Sequence, residues 1–574
     1  MTTKYRFSQQ YKHSEFLQIE ACFKTKATED VVEVFLPAWR PGRYQLGNFS
    51  RFVRNLKVFD NAGKEIKTIK HTKDSWLVYL GEQDAFKVTY DFFTSEINGG
   101  STYVDEDIWY LNFINCAVYT KDSINGACKV ALDIDNAWKI ATSLNITGSN
   151  LLAKSFFELV GSPVIAAKEI KHLVYKCENI SFHLWFYGKI KLDNANQIIA
   201  DFQKFTQEQL AMMGSFENDD YHFLYQITDE KSYHGVEHLS STSIVLGPAA
   251  NFTQENFYDD LLGISAHELF HYWNIIRVRP KEMFPYDFQK ENYFTTGYIA
   301  EGVTTYYGDL FLVRSKVKNI EWYEKELNKL LKRHLENYGR HYSSLASSST
   351  DLWVDGYSSE TPNRRVSIYV KGALIALMLD LIIISETQGE KSLDDVIRGL
   401  WNNAYKKNRG YTAQDYLLLA EGLIGRSLDW YKDDYIDGVV PIEVYLTALI
   451  ETFGYKLIPK ENDDTMASIV GIKISKINDK RSITNIAPNS IGEKYFRLKD
   501  IIESVNDENF DNRTNKINLS NGLLDIRFLR KNELRHVKIL IDQKKETYFK
   551  TYELSRLPNV TTIQEKLRKR WLGW

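Results

Sequence analysis

His267-Glu268-Leu269-Phe270-His271 lies inside the apolar run Leu261 to Ile276, and its reading decides how the rest of the chain is understood. On a helix, residues i and i+4 share a face, so both imidazoles of this pentapeptide can point at one ion. Glu268 stands next to the first histidine, within reach of water beside such an ion. Neutral imidazole nitrogens suit Zn²⁺, and a site with three protein ligands leaves a fourth position open. Zinc acidifies water, and a neighbouring carboxylate can take the proton as the oxygen attacks a carbonyl. The expectation is one Zn²⁺ per chain, with His267 and His271 as metal ligands and Glu268 as catalytic base.

A third ligand has to come from elsewhere. Downstream carboxylates are Glu282, Asp287, Glu291 and Glu301. The first three fall in a stretch with prolines and lysines that reads as loop, where a carboxylate is normally solvated. Glu301 lies in Gly297-Tyr298-Ile299-Ala300-Glu301-Gly302-Val303-Thr304-Thr305-Tyr306-Tyr307, which reads as an apolar, aromatic helix able to lie beside the first one. A carboxylate buried there demands a partner, and a metal supplies one.

His267–Pro280 followed by Glu301–Tyr307 resembles the glycyl aminopeptidase family, PDZ-bearing relatives of the thermolysin-like zinc peptidases. The resemblance implies His267, His271 and Glu301 as metal ligands and Glu268 as base. His234-Gly235-Val236-Glu237-His238-Leu239-Ser240-Ser241 is similar to the family's GxEH segment, which implies that Glu237 anchors the substrate's free α-amine. A peptide ammonium at the closed end of a site needs a fixed negative partner. Tyr369-Val370-Lys371-Gly372-Ala373 resembles the YxKG segment and implies Tyr369 as the hydroxyl that steadies an oxyanion. Leu36-Pro37-Ala38-Trp39-Arg40-Pro41-Gly42-Arg43-Tyr44 is similar to a stretch of the family's β-domain; read on its own it is a strand and a Pro-Gly turn, with Arg40 and Arg43 structural or on the surface.

Outward from this centre, residues 1–175 alternate apolar and polar positions between turns such as Asp60-Asn61-Ala62-Gly63, which predicts a β-sandwich. Residues 176–459 read as a small mixed sheet against many helices: Ala195–Met213, Asn256–Ile276, Ile299–Val313, Glu321–Tyr338, Val366–Ser385, Leu393–Tyr405 and Ala413–Leu423. Residues 460–548 return to short β runs and resemble a PDZ domain through Ser482–Ser490, although its usual AGL-x-x-GD segment is replaced by Tyr495-Phe496-Arg497-Leu498-Lys499-Asp500. Residues 549–574 read as a basic tail with a short helix. The fold class expected is multidomain α+β: an N-terminal β-sandwich, a thermolysin-like zincin catalytic domain with a helical lobe, and a C-terminal PDZ-like domain.

At 574 residues with 44% hydrophobic side chains, the chain can bury several cores, and a net charge of −3 gives no electrostatic case for nucleic acid or an anionic membrane. Cys22, Cys116, Cys128 and Cys177 form no CxxC pair and read as reduced thiols. The N-terminus lacks a signal-like apolar core, and Gly372 to Ser385 is too short to span a bilayer, so a cytoplasmic setting is expected. Together these readings predict a zinc aminopeptidase acting on peptides with a free N-terminus, Gly or Ala first as the family implies. The alternatives are a zinc endopeptidase with Glu237 idle, or a catalytically dead adaptor that binds a peptide ligand through the PDZ-like domain.

Overall fold

Alternation builds the N-terminal region. In Phe16–Lys24 every second side chain, Leu17, Ile19, Ala21 and Phe23, is buried, and its partner Ala85–Phe93 buries Phe86, Val88, Tyr90 and Phe92 in the same way. Successive strand residues face opposite sides, so this pair has one dry and one wetter face. In the computed structural model, which describes residues 2–25, 30–94, 96–148, 150–358, 361–510, 517, 522–541 and 547–574, both strands belong to a seven-stranded sheet. A four-stranded sheet containing Val31–Phe35 and Ser75–Tyr79 lies on its dry face, and Val34, Trp76 and Val78 share one core with Leu17 and Ile19. A third sheet, with Ile108–Leu111 and Val164–Ala167 paired antiparallel, packs Ile108, Tyr110 and Ile165 against Leu224 of the next domain.

The central sheet has five strands in the order Lys171–Cys177, Ile180–Tyr187, Asp220–Ile227, Ser241–Gly247, Ser232–Glu237. The middle three are parallel, and Ser232–Glu237 closes one edge antiparallel to its neighbour. The helix Ala195–Met213 crosses between the first two parallel strands, as such a connection requires, and ends where Gly214 adopts a left-handed φ of 71°. Behind the sheet comes the helical lobe, organised around Val370–Glu386, of which every residue from Val370 to Ile384 is buried. A helix apolar on all sides belongs in the middle of a large core, and this one carries the packing of the lobe.

The expected helix over Ile299–Val313 is split: Tyr298–Val303 forms a π-helical turn before the α-helix Thr304–Arg314. Two helices escaped the periodicity reading, Leu345–Asp355 and Ile442–Glu451. After Tyr455–Lys460 the chain builds a six-stranded sheet with its own core of Met466, Ile472, Ile483, Ile502, Leu524 and Ile526. The last segment is no separate tail. Thr551–Arg556 pairs with Tyr455–Lys460, and the helix Thr562–Leu572 inserts Trp571 and Leu572 into the core of the helical lobe. Its basic composition hid this, because only a few apolar residues on one face do the docking. Among the described residues no helix is long and apolar enough to cross a membrane.

Candidate active site

The helix Glu255–Phe270 carries His267 and Glu268, and His271 follows at its C-terminal end. His271 and Glu301 are buried, while the His267 side chain keeps 19% exposure. The two Nε2 atoms lie 3.0 Å apart, and Glu301 Oε2 stands 3.4 Å from that of His271 and 3.9 Å from that of His267. The Nδ1–H of His271 donates to the Asn274 carbonyl at 3.0 Å, and the His267 ring bonds to the Thr304 backbone. With its other ring nitrogen so engaged, each histidine is held in orientation, the usual supporting arrangement for an imidazole ligand. One ligand atom from each of the three residues lies within 4.8 Å of the others, a spacing that fits a single ion.

Glu301 reaches this point because its segment is held from three sides. The π-helical turn places it toward the histidines, and such turns recur at functional sites. Asn274 donates from Nδ2 to the carbonyls of Ile299 and Ala300 and to Thr304 Oγ1, which ties the loop after His271 to the turn around Glu301. Tyr44, from the N-terminal β-rich region, donates its hydroxyl to Glu301 Oε1 at 2.5 Å. Burial opposes charge on Glu301, yet His271, His267 and the Tyr44 hydroxyl hold its carboxyl below the usual range. Burial likewise opposes charge on His271, but Glu301, Glu237 and Glu268 push its pKa up to about 10. Three buried carboxylates thus converge where a cation is wanted, and the donor set of two imidazoles and a carboxylate fits a divalent metal such as zinc.

Glu268 lies beside the edge strand Ser232–Glu237. A β-carbon on Gly235 would sit 2.1 Å from Glu268 Oε1, so only glycine leaves room for this carboxylate. Thr242 Oγ1 donates to Glu268 Oε2 at 3.3 Å. Burial, with Glu237 and Glu301 adding and His271 opposing, raises the Glu268 pKa to about 8. Glu237, at the end of the same strand, is buried, and its Oε1 has no hydrogen-bond partner. Burial is also the main cause that raises its pKa. An unpaired buried carboxylate oxygen is costly and marks a place where a ligand's donor belongs.

Tyr369 caps the start of Val370–Glu386 and lies 3.5 Å, oxygen to oxygen, from Tyr357. Both tyrosines line a cleft of about 650 Å³ together with Gly42, Arg43, His267 and Glu268. The structure therefore brings five of the residues singled out from the sequence, His267, Glu268, His271, Glu301 and Tyr369, to one cleft and its floor, with Glu237 alongside. His234 lines the same cleft and accepts a hydrogen bond from the Gly99 N–H, while His238 lines an apolar chamber together with Glu237.

Several contributors went unread in the sequence. Arg40 is buried, the structural of the two readings given for it, Gly42 at φ 76° packs against Glu237, and Tyr44 holds Glu301. The quoted Trp39–Tyr44 stretch contained all three, but a Pro-Gly turn explains itself without reference to a site in another domain. A second group, His183, Asp220 and His222, stands on the far face of the central sheet. There the Trp185 indole N–H donates to His222 Nδ1, and the group takes no part in the cleft.

The description "M61 glycyl aminopeptidase" matches residues 260–375, and "Peptidase M61 N-terminal domain" matches residues 4–168. Among curated proteins none matches the chain. Of solved structures, an aminopeptidase N family protein from Idiomarina loihiensis superposes with a TM-score of 0.89 at 21% identity, covering 99% of this chain and 100% of its own. An M1 zinc metallopeptidase mutant from Deinococcus radiodurans, bound to a Tyr-Ser-Ala substrate, gives a TM-score of 0.47 at 11% identity over 77% of this chain and 94% of its own.

Proposed function

We propose a zinc-dependent aminopeptidase, starting from the premise that the chain belongs to the M61 glycyl aminopeptidase family and is therefore a peptidase. His267, His271 and Glu301 hold the metal. When bound, zinc supplies Lewis acidity, polarising the scissile carbonyl and acidifying water. Glu268 takes the proton of the attacking water and delivers it to the departing amine, a task suited to a carboxylate whose proton affinity burial has raised. Tyr369 donates its hydroxyl to the oxygen that gains negative charge. Tyr44 and Asn274 keep Glu301 and His271 in position.

The observation that supports an aminopeptidase over an endopeptidase is the bare Oε1 of buried Glu237, to which the proposal assigns the substrate's α-ammonium group. The residue removed is proposed to be Gly or Ala, as the resemblance to the family implies. The C-terminal six-stranded sheet is proposed as a PDZ-like domain whose strand edge can accept an extended peptide. A reducing cytoplasmic setting fits the four unpaired cysteines. The deciding experiment compares free and N-acetylated peptides of one sequence: cleavage of the free form alone, lost in Glu237→Gln, is expected. Equal cleavage of both forms removes Glu237 from its role and leaves an endopeptidase.

A further inference from the structure

The YxKG segment contains a residue that the catalytic reading leaves without a task. Lys371 stands in the first turn of Val370–Glu386, is only 2% exposed, and its Nζ has no hydrogen-bond partner. An ammonium buried without an acceptor is an expensive arrangement to keep. It belongs to the wall of a second cleft, about 960 Å³, between the helical lobe and the C-terminal sheet. Arg333 and Tyr357 line both this cleft and the catalytic one, so the two adjoin.

Among the described residues the lining of the second cleft is cationic, with six lysine and arginine side chains and two carboxylates, Glu336 and Asp355. Those two are already committed: Asp355 pairs with Arg364 and Arg365, and Glu336 pairs with Lys473. Arg333, Lys371 and Lys499 are left without an anionic partner among the described residues. The helix that starts at Val370 adds the positive end of its dipole at the same place.

We propose that this second cleft is a carboxylate-binding subsite, in which Lys371 and Arg333 receive the negative group of a peptide whose amino end lies at Glu237. The proposal rests on the aminopeptidase reading and adds a substrate class: peptides that carry a carboxylate at a set distance from the bond cleaved. That carboxylate can be the chain terminus of a short peptide or an Asp or Glu side chain of a longer one. Paired, charge-assisted hydrogen bonds reward it, and an uncharged substrate leaves Lys371 unsatisfied.

The test is a ladder of alanine peptides of increasing length, each as free acid and as C-terminal amide, with a second amidated set carrying one glutamate at successive positions. At one length the acid should be cleaved roughly 10-fold more efficiently than the amide, through KM. Lys371→Met should erase the difference while amide turnover stands, and the glutamate set tells whether a terminus or a side chain is read. An acid-to-amide ratio near one at every length and every glutamate position overturns the proposal, as does a ratio that survives Lys371→Met. Should that variant fail to fold, exposed Arg333→Ala decides by the same ratio. Binding of the same peptides to Glu268→Gln, followed by calorimetry, separates the two claims. A difference in binding without wild-type turnover upholds the subsite and sinks the peptidase reading; turnover with no difference in binding or rate does the reverse.

Discussion

Gly302 and Gly372 touch backbone to backbone. A β-carbon on Gly302 would lie 2.5 Å from the main chain of Gly372, and one on Gly372 would lie 2.8 Å from the Cα of Gly302. The turn that presents Glu301 and the helix that follows Tyr369 are thereby locked together, the proposed metal ligand to the proposed oxyanion donor. Either glycine changed to alanine should force the two apart, costing about 1–3 kcal/mol as overpacking does. Zinc binding and activity should fall together. Thermal unfolding, metal titration and turnover check this; an alanine variant with normal metal affinity and rate would show that the contact is only packing.

Glu268→Ala should leave the proposed metal ligands intact and remove the proposed proton carrier. Zinc content after dialysis should match the wild type, while kcat falls by roughly 10²–10⁴-fold, the range expected for loss of general acid–base catalysis. Near-normal turnover removes Glu268 from that role.

Tyr44→Phe deletes one hydrogen bond to Glu301 and nothing from the cleft wall. Loss of such a supporting contact typically costs 10–100-fold in metal affinity or activity. The expected result is weaker zinc binding in a competition titration, with activity restored by excess zinc. Unchanged affinity would mean that the π-helical turn alone suffices to hold Glu301.

Burial, with Arg340 adding, lowers the Lys371 pKa to about 8 from its ordinary 10.5. Between those two values the unfolded chain keeps a proton that the folded chain has released, so stability contributed by this group rises with pH across that window and is lost as pH falls through it. Below about 8 both states hold the proton and the fold bears the full cost of the buried charge. Denaturant unfolding of the wild type and Lys371→Met at a series of pH values should therefore show a gap that narrows as pH rises above 8. A gap independent of pH would mean that Lys371 is charged and unperturbed in the fold.

Trp571 is fully buried, donates its indole N–H to the Tyr306 hydroxyl, and offers its carbonyl to Arg314, which in turn bonds Asp394. Trp571→Ala should cost about 3–5 kcal/mol, and the loss should appear as unfolding of the helical lobe. Retained stability would restore the last helix to the status of a loose tail.

The sequence alone determined the parts of this protein that are written locally. The i, i+4 spacing of His267 and His271 is a property of one helix, and the alternation within residues 1–175 or the apolar spacing in Ala195–Met213 needs no knowledge of neighbours. Glu301 was legible because a carboxylate in an apolar, aromatic segment must answer for its burial. Tertiary structure alone decided that Tyr44, more than two hundred residues earlier in the chain, would hold Glu301, that Gly302 would meet Gly372, and that a basic final segment would seat Trp571 in a core. The physical reason is that each of these depends on which surfaces face one another after folding. Helical and strand periods record which side of an element is dry; they carry no record of what lies against it.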